Sequence, residues 1–450
     1  MAKPSDLTNG AISLGIVRLA GPMVFGLVAV LSQNLVDTYF VGQLGTVPLA
    51  ALSFTFPVAL TFTSLSIGLS AGASSLVSRV IGSGRREQAR AWVTNGLVLS
   101  AMIVGVLSFV GWLTIEPLFS LLGASDSALE YIHRYMPLWY LSMPFLVVGI
   151  VGHGAMRADG DGKWPAVFMV ISGLINIGLT PVLMQGLAGF PRLGIEGVAL
   201  ATLIARVALF VSTVIMLHYF LELMTLKRSS FDAFSNSARR ILRVAVPAGA
   251  GNMANPIGIA IVTAILAANG DVVVAAFGVA TRIEAFACLP MLALSSAIGP
   301  FAGQNWGAGK IGRIKRALHF CFLISAINAA VLILLFFFAG DWLAGLFASE
   351  EAVREKAVSY LLLVSFSLWG YGIVVTTAAA MNGIGRSEMG LAFYAIRMLV
   401  LYVPLAYLAS VFADTRAVFI AIAVTNALAG LICAFWALRW LEQQGRQAVN

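Results

Sequence analysis

Charge is what this sequence has least of. Only 11% of its 450 residues are Asp, Glu, Lys or Arg, against about a quarter in soluble domains. So little charge cannot cover a water-exposed surface, which excludes reading the length as two or three soluble domains. Cysteine is nearly absent. Cys288, Cys321 and Cys433 all fall within apolar segments, where a thiol packs as a small inert hydrophobe. No zinc-ligand spacing, phosphate-binding P-loop or dinucleotide-binding glycine pattern occurs. No metal site, cofactor or catalytic residue is therefore expected, and the chain does not read as an enzyme. Without a nucleotide-binding motif, any pumping must draw on an ion gradient or a partner chain. No cleavable leader is expected, because the first dozen residues, through Ile12, are mixed polar. The formal charge of +8 does not point to nucleic acid, since the basic residues sit in short loops between apolar runs.

What the sequence does have is hydrophobic length. Hydrophobic residues make up 60% of it, and its mean hydropathy is +0.92. Runs of about 20 apolar residues, enough to cross about 30 Å of hydrocarbon, recur throughout. They predict an all-α integral membrane protein with twelve transmembrane helices. These lie at roughly 14–41, 47–75, 89–111, 131–155, 164–184, 194–219, 241–268, 272–301, 314–339, 357–382, 390–410 and 415–440. The loops alternate in charge. One side carries Lys3, Arg79, Arg85, Arg86, Arg90, Arg157, Lys163, Lys227, Arg228, Arg239, Arg240, Arg243, Lys310, Arg313, Lys315, Arg316, Arg386, Arg439 and Arg446. The other carries Arg134, Arg192, Arg354, Lys356 and Arg416. The positive-inside rule places both termini in the cytoplasm of a bacterial plasma (inner) membrane, which requires an even number of spans. A basic connector near the midpoint divides the chain into a lobe at 1–220, a linker at 221–240 and a lobe at 241–450.

The halves repeat. Pro22, Gly26, Thr38, Gly45, Gly82 and Gly84 fall on Pro247, Gly251, Thr263, Gly270, Gly307 and Gly309 at a constant offset of 225 residues. Ala155-Met156 falls on Ala380-Met381 in the same register. Six spans per repeat preserve orientation, so the lobes should be related by an axis along the membrane normal, with a cleft for cargo between them.

Of twenty acids, two lie inside apolar spans, Asp37 and Glu284. A charge at the bilayer centre costs about 2.5–3.5 kcal/mol, so such residues usually face a cavity and mark an ion route. Asp37 follows Gln33 and Asn34 by four and three residues, which places the three on one helical face. Burial penalises a carboxylate's charged form, making a proton a natural partner. The plainer alternative is an acid exposed at the outer interface. Asn176 and Thr180 stand one turn apart on the fifth span. Thr202 lies about 12 Å into the sixth, and Tyr135 and Tyr140 enter the fourth from the same end. Each alone reads as interhelical packing; with Asp37 they suggest an oxygen-rich pocket for a proton or cation.

Glu284 has Arg282 two residues before it. Residues so spaced on a helix do not face each other, so each needs its own partner, in a structural pair or a second-lobe polar site. Arg206 and Arg397 are the other arginines deep in apolar spans. The repeat sets Asp37 against Val262, making the lobes chemically unlike. Pro22, inside the first span, removes one backbone hydrogen bond and permits a kink.

With Asp37-Thr-Tyr-Phe-Val-Gly-Gln-Leu-Gly45, Gly82-Ser-Gly84-Arg85, Gly194-Ile-Glu-Gly197-Val-Ala-Leu-Ala-Thr202 and Gln304-Asn305-Trp-Gly307-Ala-Gly309, the sequence resembles a MATE (multidrug and toxic compound extrusion) transporter over nearly its whole length. The resemblance is to the DinF-like branch. It implies a V-shaped fold of two six-helix lobes that exports amphipathic cationic compounds in exchange for H⁺ or Na⁺. It also implies that Asp37 and Asn176 belong to an amino-lobe ion site and that Pro22 is the proline of a bending first helix. The NorM-like branch takes Na⁺ on acids of helices seven and ten, which contain no Asp or Glu here. One departure stands out: many relatives have Asn-x-x-x-Asp-Pro on the fifth helix, where this chain has Asn176-Ile-Gly-Leu-Thr180-Pro181. Losing that carboxylate weakens a Na⁺ cage and leaves Asp37 as a lone protonatable group. The expectation is a monomeric, proton-coupled multidrug antiporter. A Na⁺-coupled exporter and a lipid-linked saccharide flippase of related fold are the alternatives.

Overall fold

The computed structural model describes residues 6–225, 227 and 229–447; Lys3 and Arg228 of the charge pattern lie outside these. Regular structure among the described residues is entirely helical, as lipid requires when every backbone N–H must be satisfied within the chain. The first half holds α1 (Ile12–Gln43), α2 (Thr46–Gly82), α3 (Arg86–Leu113), the short α4 (Ile115–Leu121), α5 (Asp126–Ala158), α6 (Lys163–Gln185) and α7 (Ile195–Ile215). The second holds α8 (Phe231–Ala267), α9 (Asp271–Ala287), α10 (Leu289–Gly307), α11 (Ile311–Gly345), α12 (Glu351–Ser365), α13 (Leu368–Ile384), α14 (Ser387–Ala395), α15 (Val403–Phe412) and α16 (Thr415–Gln447). A π-helical stretch, Ile396–Tyr402, joins α14 and α15 into one span. Among the described residues ten helices are long and apolar enough to cross a membrane. Two bent pairs, α9–α10 at 47° and α12–α13 at 59°, bring the number to twelve. The chain is a multi-pass membrane protein. The connector foreseen at 221–240 is shorter, because α8 begins at Phe231 with Ser230 capping it.

The 225-residue offset persists in the fold. α2 occupies Thr46–Gly82 and its counterpart, α9 plus α10, occupies Asp271–Gly307. The turns between spans repeat too. Gly84 and Gly309 have φ of 77° and 71°, and Gly160 and Gly385 have 94° and 86°, a region that costs residues with a Cβ but not glycine.

Reciprocal contacts relate the lobes by an approximate two-fold axis. Gly82 packs on the backbone of Gln304, and its counterpart Gly307 packs on the backbone of Arg79, the counterpart of Gln304. A Cβ at either glycine would collide with main chain. Ser75 Oγ donates to the Gly383 carbonyl at 3.0 Å, and Gln304 Nε2 donates to the Ala158 carbonyl at 2.7 Å. These close approaches lie at the end of the bundle bearing the basic loops. There Gln304 Oε1 also accepts from Leu7 N at 3.1 Å, and Asn305 Nδ2 donates to the Leu7 carbonyl at 3.1 Å. The tight packing reaches inward as far as Gly68 against Gly249.

Buried apolar side chains form two clusters, one per lobe. α1 connects them. Its Ile16, Leu19 and Met23 pack into the second lobe's cluster, while Val41, near its far end, belongs to the first lobe's. α1 runs unbroken through Pro22. Gly26 lets it lie against Ala166 and Met169 of α6.

Candidate functional site

Asp37 stands on α1 six residues before its end, and α6 meets it there. Thr180 Oγ1 donates to Asp37 Oδ1 at 3.2 Å. One turn back along α6, Asn176 Nδ2 donates to Thr202 Oγ1 of α7 at 3.1 Å. Thr202 Oγ1 in turn donates to the Val198 carbonyl at 3.0 Å. Asn176, Thr180 and Thr202 are all buried. The Asn176 Oδ1 atom is buried without a protein partner, which leaves a strong acceptor unsatisfied within the cluster. Tyr135 is buried, and with Arg206 it lies close enough to Asp37 to feel its charge. Arg206 Nη1 donates to Ser142 Oγ at 2.6 Å, and the guanidinium lies 5.5 Å over the Trp139 ring.

The cluster therefore unites Asp37, Thr180, Asn176, Thr202 and Tyr135. Other residues foreseen with them fall elsewhere. Asn34 is exposed, and its Nδ2 donates back to the Val30 carbonyl of its own helix at 3.1 Å. Gln33 is half-buried on the same helix. Tyr140 has its ring held against Gly111 and grouped with Phe62 and Trp139 at 5.9 and 5.5 Å.

The second lobe has a polar centre of its own. Tyr360 Oη donates to Glu284 Oε2 at 2.7 Å. Arg397, only 4% exposed, donates through Nε to Asn426 Oδ1 at 2.9 Å and through Nη1 to Asn255 Oδ1 at 3.0 Å. Its guanidinium lies 4.7 Å over the Tyr371 ring. Glu284 and Arg397 line a cavity of about 260 Å³ whose far wall is Leu27, Val30 and Leu31 of α1. The bend between α9 and α10 also lines the cavity, through Cys288 and Leu289. Arg282 does not join it: that side chain is exposed and the cavity's cation is Arg397.

Sequence reasoning passed over Tyr360, Asn255 and Asn426, named Arg397 only as an arginine within an apolar span, and left Arg206 outside the pocket. Two signals pointed to them. Arg206 is four residues beyond Thr202 and so shares its helical face. Tyr360 is the repeat counterpart of Tyr135 at the 225-residue offset.

Comparison with known proteins agrees with this architecture. The MatE family model matches twice, at residues 22–182 and 247–408, so the two matches begin 225 residues apart. An FAD transporter of Shewanella oneidensis is 37% identical over 439 residues, covering 97% of this chain and 96% of its own. Probable multidrug resistance protein YoeA of Bacillus subtilis is 28% identical over 78% of this chain and 77% of its own. Among solved structures, the Vibrio cholerae MATE transporter VcmN in the bent form superposes with a TM-score of 0.91 at 27% identity, covering 96% of this chain and 98% of that one. On the two matched halves, the twelve crossings and the full-length relative, the chain belongs to the MatE family and is a membrane transporter, not an enzyme.

Proposed function

We propose that this chain is a proton-coupled exporter of amphipathic organic compounds, acting as a monomer in a bacterial inner membrane with both termini in the cytoplasm. Asp37 carries the coupling proton. One observation supports this above the rest: among the described residues Asp37 is the sole carboxylate of the first-lobe cluster, bonded to the neutral Thr180, on a helix whose other end packs into the second lobe. Proton uptake from outside removes the Asp37 charge and changes what α1 can bond to; release inside restores it. Export then requires only that proton and cargo favour opposite conformations.

Na⁺ is a second reading of the coupling ion, favoured by the unpartnered Asn176 Oδ1, which a hard cation would satisfy. The cargo also has two readings. The resemblance and the Bacillus relative favour amphipathic cationic drugs. The Shewanella relative, the more similar of the two, and Arg397 in the cavity wall favour an anionic aromatic compound such as FAD. Proteoliposomes with an imposed ΔpH or ΔpNa, loaded with a fluorescent aromatic cation or with FAD, test all of these. Wild type should transport under ΔpH and Asp37→Asn should lose at least tenfold. Full ΔpH-driven transport by Asp37→Asn overturns the proposal, and transport driven only by ΔpNa selects the second coupling ion.

A further inference from the structure

A buried arginine without a carboxylate bonded to it needs explaining in a membrane interior. Arg397 is such a residue. Two asparagine oxygens position its guanidinium and a tyrosine ring supports one face, but these partners are neutral. The acid nearby, Glu284, gives its bonded oxygen to Tyr360 instead. Neutral partners orient a charge without cancelling it, the arrangement expected of a cation held ready for an anion.

We propose that the second-lobe cavity is a subsite for the phosphate-bearing end of an anionic aromatic cargo, with Arg397 binding the phosphate. The cavity, about 260 Å³, falls below the roughly 300–1,000 Å³ of pockets that enclose a drug-sized ligand. It therefore takes one end of such a molecule, and the rest lies in the cleft between lobes. Tyr371 and Tyr402 give that end an aromatic lining. The far wall belongs to α1, the helix that carries Asp37 six residues beyond Leu31. A movement of α1 driven at Asp37 would change this subsite directly. The inference rests on the anionic reading of the cargo and on export, but not on which ion is coupled.

Binding by the full-length protein in nanodiscs of neutral phospholipid tests it, with FAD, FMN, riboflavin and inorganic phosphate as probes. FAD should bind, and Arg397→Gln should weaken it at least tenfold while leaving riboflavin, which lacks phosphate, within twofold. Leu31→Trp fills the cavity without touching the charge and should also weaken FAD tenfold; it keeps the test decisive if Arg397→Gln does not fold. Arg282→Gln, at an exposed arginine, should match wild type. The proposal falls if FAD does not bind wild type, if Arg397→Gln and Leu31→Trp bind it normally, or if inorganic phosphate displaces FAD as well as FMN does. Arg397-dependent binding without gradient-driven transport would leave the subsite standing and sink the exporter reading. Transport that ignores Arg397 and Leu31 would do the reverse.

Discussion

In the first lobe the acid within an apolar span stands on the first helix of the repeat, and in the second lobe on the second. Asp37 corresponds to Val262, and Glu284 to Ala59. The arginines are displaced likewise: Arg206 answers to Leu431, Arg397 to Ser172. Yet Tyr135 and Tyr360 are equivalent, and each lies beside its own lobe's acid. Ser142 and Ser367 are equivalent too, and each receives a donor, Arg206 Nη1 at 2.6 Å and Asn426 Nδ2 at 3.3 Å. Two copies of one scaffold have thus placed an acid and an arginine around shared tyrosine and serine positions by different substitutions. The backbones diverge where the chemistry does. α2 is continuous, whereas its counterpart bends by 47° beside Glu284. Pro290, at the start of α10, stands where the first lobe has Leu65; without an N–H it cannot continue the ladder of hydrogen bonds.

The largest effect expected from breaking this asymmetry is at the acids. Transferring the carboxylate, as Val262→Asp in an Asp37→Asn background, should not restore ΔpH-driven transport in proteoliposomes, since the Thr180 and Asn176 positions are Leu405 and Leu401 in the second lobe. Recovery above a tenth of wild-type rate would make the lobes interchangeable. The next effect tests their symmetry. Gly82→Val and Gly307→Val each drive a side chain into main chain at the closed end, so both should cut transport at least tenfold and to a similar degree. A large difference between the two would deny the reciprocal seal.

Smaller effects separate the tyrosines. Tyr360→Phe removes a hydrogen bond to a carboxylate, a bond that contributes about 1.5–3 kcal/mol, and should lower thermal stability measurably. Tyr135→Phe breaks no hydrogen bond to Asp37 among those formed in the structure, so it should alter stability by less than about 1 kcal/mol. Equal melting temperatures for the two variants would contradict this. The smallest change should come from Pro22→Ala. It restores an N–H to a helix already continuous through residue 22, leaving fold and stability close to wild type, while slowing transport severalfold if α1 bends during the cycle. Unchanged transport would remove Pro22 from the mechanism.

Much of the fold was legible because lipid simplifies the code. Twelve apolar runs, alternating loop charge and an ungapped repeat needed no knowledge of packing. The run at 272–301 read as one span because hydropathy is blind to a bend such as the one at Cys288. Linker limits blurred at Phe231 because α8 extends into polar sequence, where its start is set by the Ser230 cap rather than by hydrophobicity. Around Asp37, spacing along one helix chose correctly which face to inspect but could not rank the residues on it. Asn34 shares the face in principle, yet it lies exposed and bonds its own backbone.

The sequence by itself determined that this chain is a duplicated membrane bundle with two interior carboxylates, because hydropathy, charge and repeat register are properties of the linear chain. Only the tertiary structure decided which groups meet them. Thr180 reaches Asp37 across 143 positions of sequence and Tyr360 reaches Glu284 across 76. Such pairings depend on how helices cross and rotate against one another, and helical spacing along one chain segment carries no record of that. The same holds for Arg397: its neighbours in sequence are apolar, while its partners Asn255 and Asn426 come from two other helices.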